Sequence, residues 1–126
     1  MAIVTRAFTN IVCDDVETVA GFYEQLLDLS RTGDFGWFVL LGAGDRPDFA
    51  LGVLDSGHET VPEALARDQG GMVLTFVVDD AHRIHERARA MQADILEPPR
   101  ALSYGQTRLL LRDPAGCAVD ISSPTQ

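Results

Sequence analysis

Cysteine is almost missing from this chain: Cys13 and Cys117 are the only two, each on the apolar face of an expected strand. Two buried thiols make neither a disulfide scaffold nor a cysteine-rich metal site, so the fold must rest on an ordinary hydrophobic core. Positive charge is scarce as well, with ten Lys and Arg against 19 Asp and Glu and a formal net charge of −9. That balance argues against nucleic acid or an anionic membrane as a partner, and it is compatible with a cationic ligand. No apolar run approaches the roughly 20 residues of a membrane span. The opening MAIVTRAFTN lacks the basic-then-apolar plan of a secretion signal, so a cytoplasmic location is expected. There is no serine-centred nucleophile motif and no glycine-rich phosphate loop; Gly42-Ala43-Gly44 reads as a hairpin loop. Histidine is limited to His58, His82 and His85. The last two stand at i, i+3 beside Glu86, match no metalloprotease spacing, and read as a solvated helix face.

What is present is a repeated plan. At 126 residues the chain is a single domain long enough for a real core. Residues 3–13 read as a strand with Ala7, Thr9, Ile11 and Cys13 on one face. Asp14-Asp15 then places acidic residues where a helix N-terminus favours them. Val16, Val19, Ala20, Phe22, Tyr23, Leu26 and Leu27 recur at helical spacing. Short strands follow near 29–33, 36–42 and 48–54. The second half repeats this order, with a strand at 72–78, Asp79-Asp80, a helix carried by Ala81, Ile84, Ala88 and Met91, and strands near 94–97, 106–112 and 117–122. The polar stretch from His58 to Gly71, with one short helical turn at 63–68, separates the halves. Each half is thus β-α-β-β-β, module one over about 1–57 and module two over about 71–126, with a linker at about 58–70. Repetition of this kind points to two modules that pair to make one cleft.

The hairpin from Tyr104 to Asp120 carries the most specific chemistry. Leu109 and Leu111 alternate with Arg108, Leu110 and Arg112, and Asp113-Pro114-Ala115-Gly116 forms a tight turn. Cys117, Val119 and Ile121 then supply an apolar face, so Asp120 projects to the opposite one with Ala118 and Ser122.

Taken in order, three segments resemble the vicinal oxygen chelate superfamily of glyoxalase I, bleomycin-resistance proteins and extradiol dioxygenases. They are Asp15-Val16 with Gly21-Phe22-Tyr23-Glu24-Gln25-Leu26-Leu27-Asp28-Leu29, then Met72 through Asp80, then Tyr104-Gly105 with Asp113-Pro114-Ala115-Gly116 and Val119-Asp120. The resemblance implies an α+β fold: two paired βαβββ modules form a curved sheet that lines a cleft, with helices on its outer face. It also implies four metal-ligand positions. They fall on Phe8, on a residue near Leu51, on Met72 and on Asp120. Phe and Leu do not coordinate, thioether sulfur is a soft ligand unsuited to Mg²⁺, Mn²⁺ or Zn²⁺, and one carboxylate does not hold a divalent ion. The expectation is therefore no metal, no other cofactor and no catalytic residue set.

What remains is a cleft walled by Phe8, Asn10 and Val12, by Leu51, by Met72, Leu74 and Phe76, and by Tyr104, Gln106, Arg108, Leu110 and Asp120. Trp37, the only tryptophan, stands either in the core or as a stacking surface for a planar ligand. An apolar concavity with a few polar groups suits a small organic molecule, and the bleomycin-resistance branch implies sequestration of a cationic or planar one. The alternative is a metal-independent isomerase or lyase using Asp120 near Arg108 and Tyr104. The family resemblance and an exposed edge strand imply a homodimer.

Overall fold

A computed structural model of the protein describes residues 3, 7–46, 48–61, 63, 72–103 and 105–125. Helix α1 (Val16–Leu27) begins where Asp15 caps it, its carboxylate accepting from the Thr18 N–H at 3.1 Å and the Thr18 hydroxyl at 2.7 Å. The helical spacing of its apolar residues buries Val16, Val19, Ala20, Phe22, Tyr23 and Leu26, and Asp28 ends it in the left-handed conformation at φ 56°. Helix α2 (Ala81–Ala90) repeats the device: Asp80 accepts from the His82 N–H at 3.0 Å, and Ala81, Ile84 and Ala88 are buried.

Four strands accompany each helix. Strands β1 (Thr9–Cys13), β2 (Ser30–Asp34), β3 (Phe38–Gly42) and β4 (Leu51–Asp55) form one sheet in the order β1-β4-β3-β2. Strands β5 (Val73–Val77), β6 (Asp94–Ala101), β7 (Gln106–Arg112) and β8 (Ala118–Pro124) form the other in the order β5-β8-β7-β6. In both sheets the first and last strands of the module pair in parallel and the remaining neighbours are antiparallel. The α+β plan of two βαβββ modules is the one expected.

Three boundaries differ from expectation. Strand β1 begins at Thr9, with Ala7 and Phe8 outside it; residues 4–6 lie outside the described set, as does nearly all of the helical turn expected at 63–68. Strand β6 runs on to Ala101 through Pro98 and Pro99. It tolerates them because it is an edge strand and its pairing with β7 slips between Ile95 and Glu97 and again between Glu97 and Arg100. Trp37 precedes β3 rather than lying in it.

One hydrophobic cluster serves both modules, running from Ile11, Val39 and Val53 to Leu109, Val119 and Ile121. Tyr23 lies where the modules join. Its ring meets Phe22 edge-on at 5.1 Å and Phe76 of module two at 5.9 Å. Its hydroxyl donates to Asp113 Oδ2 at 2.6 Å. Asp113 is buried, and its other oxygen accepts from the N–H groups of Ala115 and Cys117. Arg87 of α2 adds a second tie, donating to the Leu26 carbonyl at 3.3 Å and pairing with Asp28 at 3.0 Å.

Burial, with the Asp113 charge beside it, pushes the Tyr23 phenol well above its ordinary value. A raised pKa in the folded state means that this contribution to stability is complete below about pH 10, where the unfolded phenol titrates, and is lost as pH rises beyond it. Tyr23→Phe leaves a buried carboxylate oxygen without its donor. It is expected to cost about 1–3 kcal/mol in urea unfolding at neutral pH and to flatten the decline above pH 10. An unchanged midpoint would show that the hydroxyl does not tie the modules together.

Candidate functional site

Each sheet packs a helix on one face and leaves the other open. On β7, Thr107, Leu109 and Leu111 are buried toward the helix side, while Gln106, Arg108 and Leu110 are half-buried on the open side. On β8, Val119 and Ile121 are buried and Asp120 lies opposite them, as alternation predicted. Asp120 Oδ2 accepts from the Thr75 hydroxyl at 3.1 Å, and Oδ1 accepts from the Ser122 hydroxyl at 2.7 Å. Thr75 reaches it because β5 lies parallel to β8 with Thr75 opposite Asp120. Both carboxylate oxygens are therefore already held by neutral donors.

Arg108 stands on the same open face, its side chain 26% exposed. Its Nη2 donates to Glu97 Oε1 at 3.1 Å, and its Nε is buried without an acceptor among the described residues. Glu97 also accepts from Arg100, whose Nη2 lies 3.2 Å away. Hydrogen bonding from Arg108 chiefly, and the charge of Arg100 next, hold the Glu97 carboxyl below its usual range.

Module one's open face is less polar. Phe8 is exposed and Asn10 stands beside Gly52, its pairing partner on β4. A Cβ at Gly52 would overlap the Asn10 amide oxygen and crowd the Phe38 ring, so glycine lets these two groups lie close over the sheet. Trp37 is 38% exposed and stacks on His58, with ring centroids 3.7 Å apart and planes 9° from parallel. It is thus neither buried in the core nor bare on both faces.

Four expected wall residues sit elsewhere. Leu51 belongs to the core, because the alternation of β4 points it and Val53 at the helix and leaves Gly52 on the open face. Phe76 packs against Tyr23 and Phe49 on the helix side, and Leu74 shares that face. Met72 precedes β5 in the same alternation and is largely exposed. The open face of β5 belongs instead to Val73, Thr75 and Val77. Tyr104 lies outside the described residues. Of the expected wall residues, Phe76 borders a groove of about 420 Å³ with Leu27, Leu29, Phe49 and Val78, and Val12 borders a different one with Cys13, Asp15 and Val19.

The metal-ligand chemistry can be tested on these neighbours. Asp120 has Thr75 and Ser122 beside it, module one offers Phe8 and Gly52, and no three His, Cys, Asp or Glu residues come together among the described residues. This donor set does not fit a divalent ion. Thiol chemistry is disfavoured too: burial, with Asp113 adding to it, pushes Cys13 and Cys117 up to about 11, leaving them as unreactive thiols near neutrality.

A family model described as Glyoxalase/Bleomycin resistance protein/Dioxygenase superfamily matches residues 5–121. The chain belongs to this superfamily. A search of the curated proteins finds no match. Solved structures show the same fold for members with diverse names. A protein from the mobile metagenome of V. pseudocholerae superposes with a TM-score of 0.76 at 24% identity, covering 100% of this chain and 98% of its own. Lactoylglutathione lyase from Agrobacterium tumefaciens gives 0.73 at 19%, covering 97% and 96%. Fosfomycin resistance protein FosX from Mesorhizobium loti gives 0.71 at 16%, covering 99% and 95%. At these identities the likeness is one of fold.

The stack in this superfamily member is testable. Trp37→Ala, His58→Ala and the double variant, compared by chemical unfolding, are expected to show a coupling of about 0.5–1.5 kcal/mol between the rings. Additive losses would mean that the rings lie together without stabilising each other.

Proposed function

We propose that this superfamily member is a homodimer that binds a small organic molecule between open sheet faces and uses no catalytic metal. The observation that carries the reading is the character of those faces. Phe8 and Trp37 in module one and Val73 and Val77 in module two are exposed apolar side chains, and the second sheet adds a few held polar groups, Asp120, Thr75, Ser122 and Arg108. Such a mixture is the usual lining of a small-molecule site. On this reading the second wall comes from a second copy, of the same chemistry. A ligand with a flat apolar body fits the aromatic side of this surface. Catalysis by Asp120 alone is the less favoured reading, because both of its oxygens are held by hydroxyl donors and no activated partner touches it among the described residues.

Two measurements test the proposal. Light scattering at micromolar concentration is expected to give twice the 13.7 kDa chain mass; the mass of a single chain would remove the second wall. Protein stripped with chelator is expected to retain saturable binding of planar aromatic compounds, followed by Trp37 emission. About one Zn, Ni, Mn or Fe per chain in untreated protein, lost in Asp120→Ala together with binding, would overturn the metal-free reading.

A further inference from the structure

We infer that Arg108 is an oxyanion receptor on the open face of the second sheet, so that the ligand carries a carboxylate, phosphate or phosphonate group beside its apolar body. This rests on the small-molecule reading above and narrows it. Every one of the ten cationic residues of the chain is an arginine, so anion recognition here falls to a guanidinium, which reads two oxygens at once.

The arrangement around Arg108 is unusual in its sharing. Glu97 Oε1 is the acceptor for both Arg108 Nη2, at 3.1 Å, and Arg100 Nη2, at 3.2 Å, with Arg100 Nε at 3.3 Å. Two guanidinium groups thus serve one carboxylate oxygen, and the trio carries a net positive charge in a chain whose total is −9. Arg100 is the more exposed of the two, at 60% against 26% for Arg108. If Arg108 turns toward an incoming anion, Glu97 keeps Arg100 and no carboxylate is stranded. Arg108 gains by the exchange, because its Nε has no acceptor among the described residues and a buried unpaired donor is costly. A bidentate oxyanion satisfies Nε and one terminal nitrogen together.

The acid on β8 does not compete. Asp120 is diagonal to Arg108 across the β7–β8 pair, Arg108 facing Ser122 and Leu110 facing Asp120. The two form no ion pair; Asp120 is held by Thr75 and Ser122 instead. Leu110 lies between them on this face and gives the ligand's apolar part a place to rest beside the charge.

The test uses matched probes on the intact protein: phenylphosphonate and benzoate against the neutral benzamide, followed by NMR on ¹⁵N-labelled protein. The Arg108 Nε–H resonance is assigned by its disappearance in Arg108→Gln. Both anions are expected to shift that resonance saturably and to bind at least tenfold more tightly than benzamide. Arg108→Gln should reduce the anions to the benzamide level. Glu97→Gln, which frees Arg108 in advance, should tighten the anions several-fold. Arg89→Gln, on the exposed face of α2, should change nothing. A preference for tetrahedral over planar anions, or the reverse, identifies the oxyanion class. Equal binding of all three probes would overturn the anion receptor and leave the small-molecule reading standing. Absence of binding by all three would overturn both. Looser anion binding in Glu97→Gln would overturn the exchange between Glu97 and the ligand.

Discussion

A single buried hydrogen bond between the modules, from the Tyr23 hydroxyl to Asp113, organises much of this molecule. The phenol belongs to helix α1 of module one, and the carboxylate closes the β7–β8 hairpin of module two. Each satisfies a polar group that burial would otherwise penalise. Because the ring also touches Phe22 and Phe76, one side chain aligns a helix, an edge strand and a turn. That alignment uses the helix-bearing sides of the modules for the common core and keeps the other side of each sheet available. Function follows from this division: one face of each sheet is committed to stability, and the other is free to be varied for binding.

The open faces also show why a shared fold does not mean shared chemistry in this superfamily. The scaffold positions side chains from four strands per module, and what those side chains are decides the outcome. Here they are a phenylalanine, a glycine, a threonine and one aspartate already engaged by hydroxyls, around an arginine that shares its partner. On the proposed reading such a set recognises and holds a ligand.

Much of the architecture was legible in the sequence. The Asp14-Asp15 and Asp79-Asp80 pairs announced both helices, and their apolar spacing gave the buried faces except at the ends, where Leu27 and Met91 are only partly buried. The hairpin around Asp113-Pro114 was equally clear, including the side taken by Asp120, because Val119, Asp120, Ile121 and Ser122 alternate between apolar and polar. Legibility failed where a strand is apolar on both sides. Leu51-Gly52-Val53-Leu54 and Val73-Leu74-Thr75-Phe76-Val77 give little phase information, and Leu51, Met72 and Phe76 were assigned to the wrong face for that reason. Thr75 held the missing signal, since a lone hydroxyl in an apolar strand marks the side that meets polar neighbours. The contact between Trp37 and His58 joins residues 21 positions apart, and the reach of Arg108 back to Glu97 crosses from one strand to the next; no local pattern encodes either.

The two prolines of β6 have a consequence for how the second sheet can grow. Strand addition requires a run of outward N–H donors along an edge, and Pro98-Pro99 interrupts that run where the pairing with β7 also slips. The β6 margin is thereby closed to templated extension. The opposite margin, β5, has neither proline nor charge between Val73 and Val77. The sheet is directional: among the described residues, β5 is the margin left open to backbone pairing.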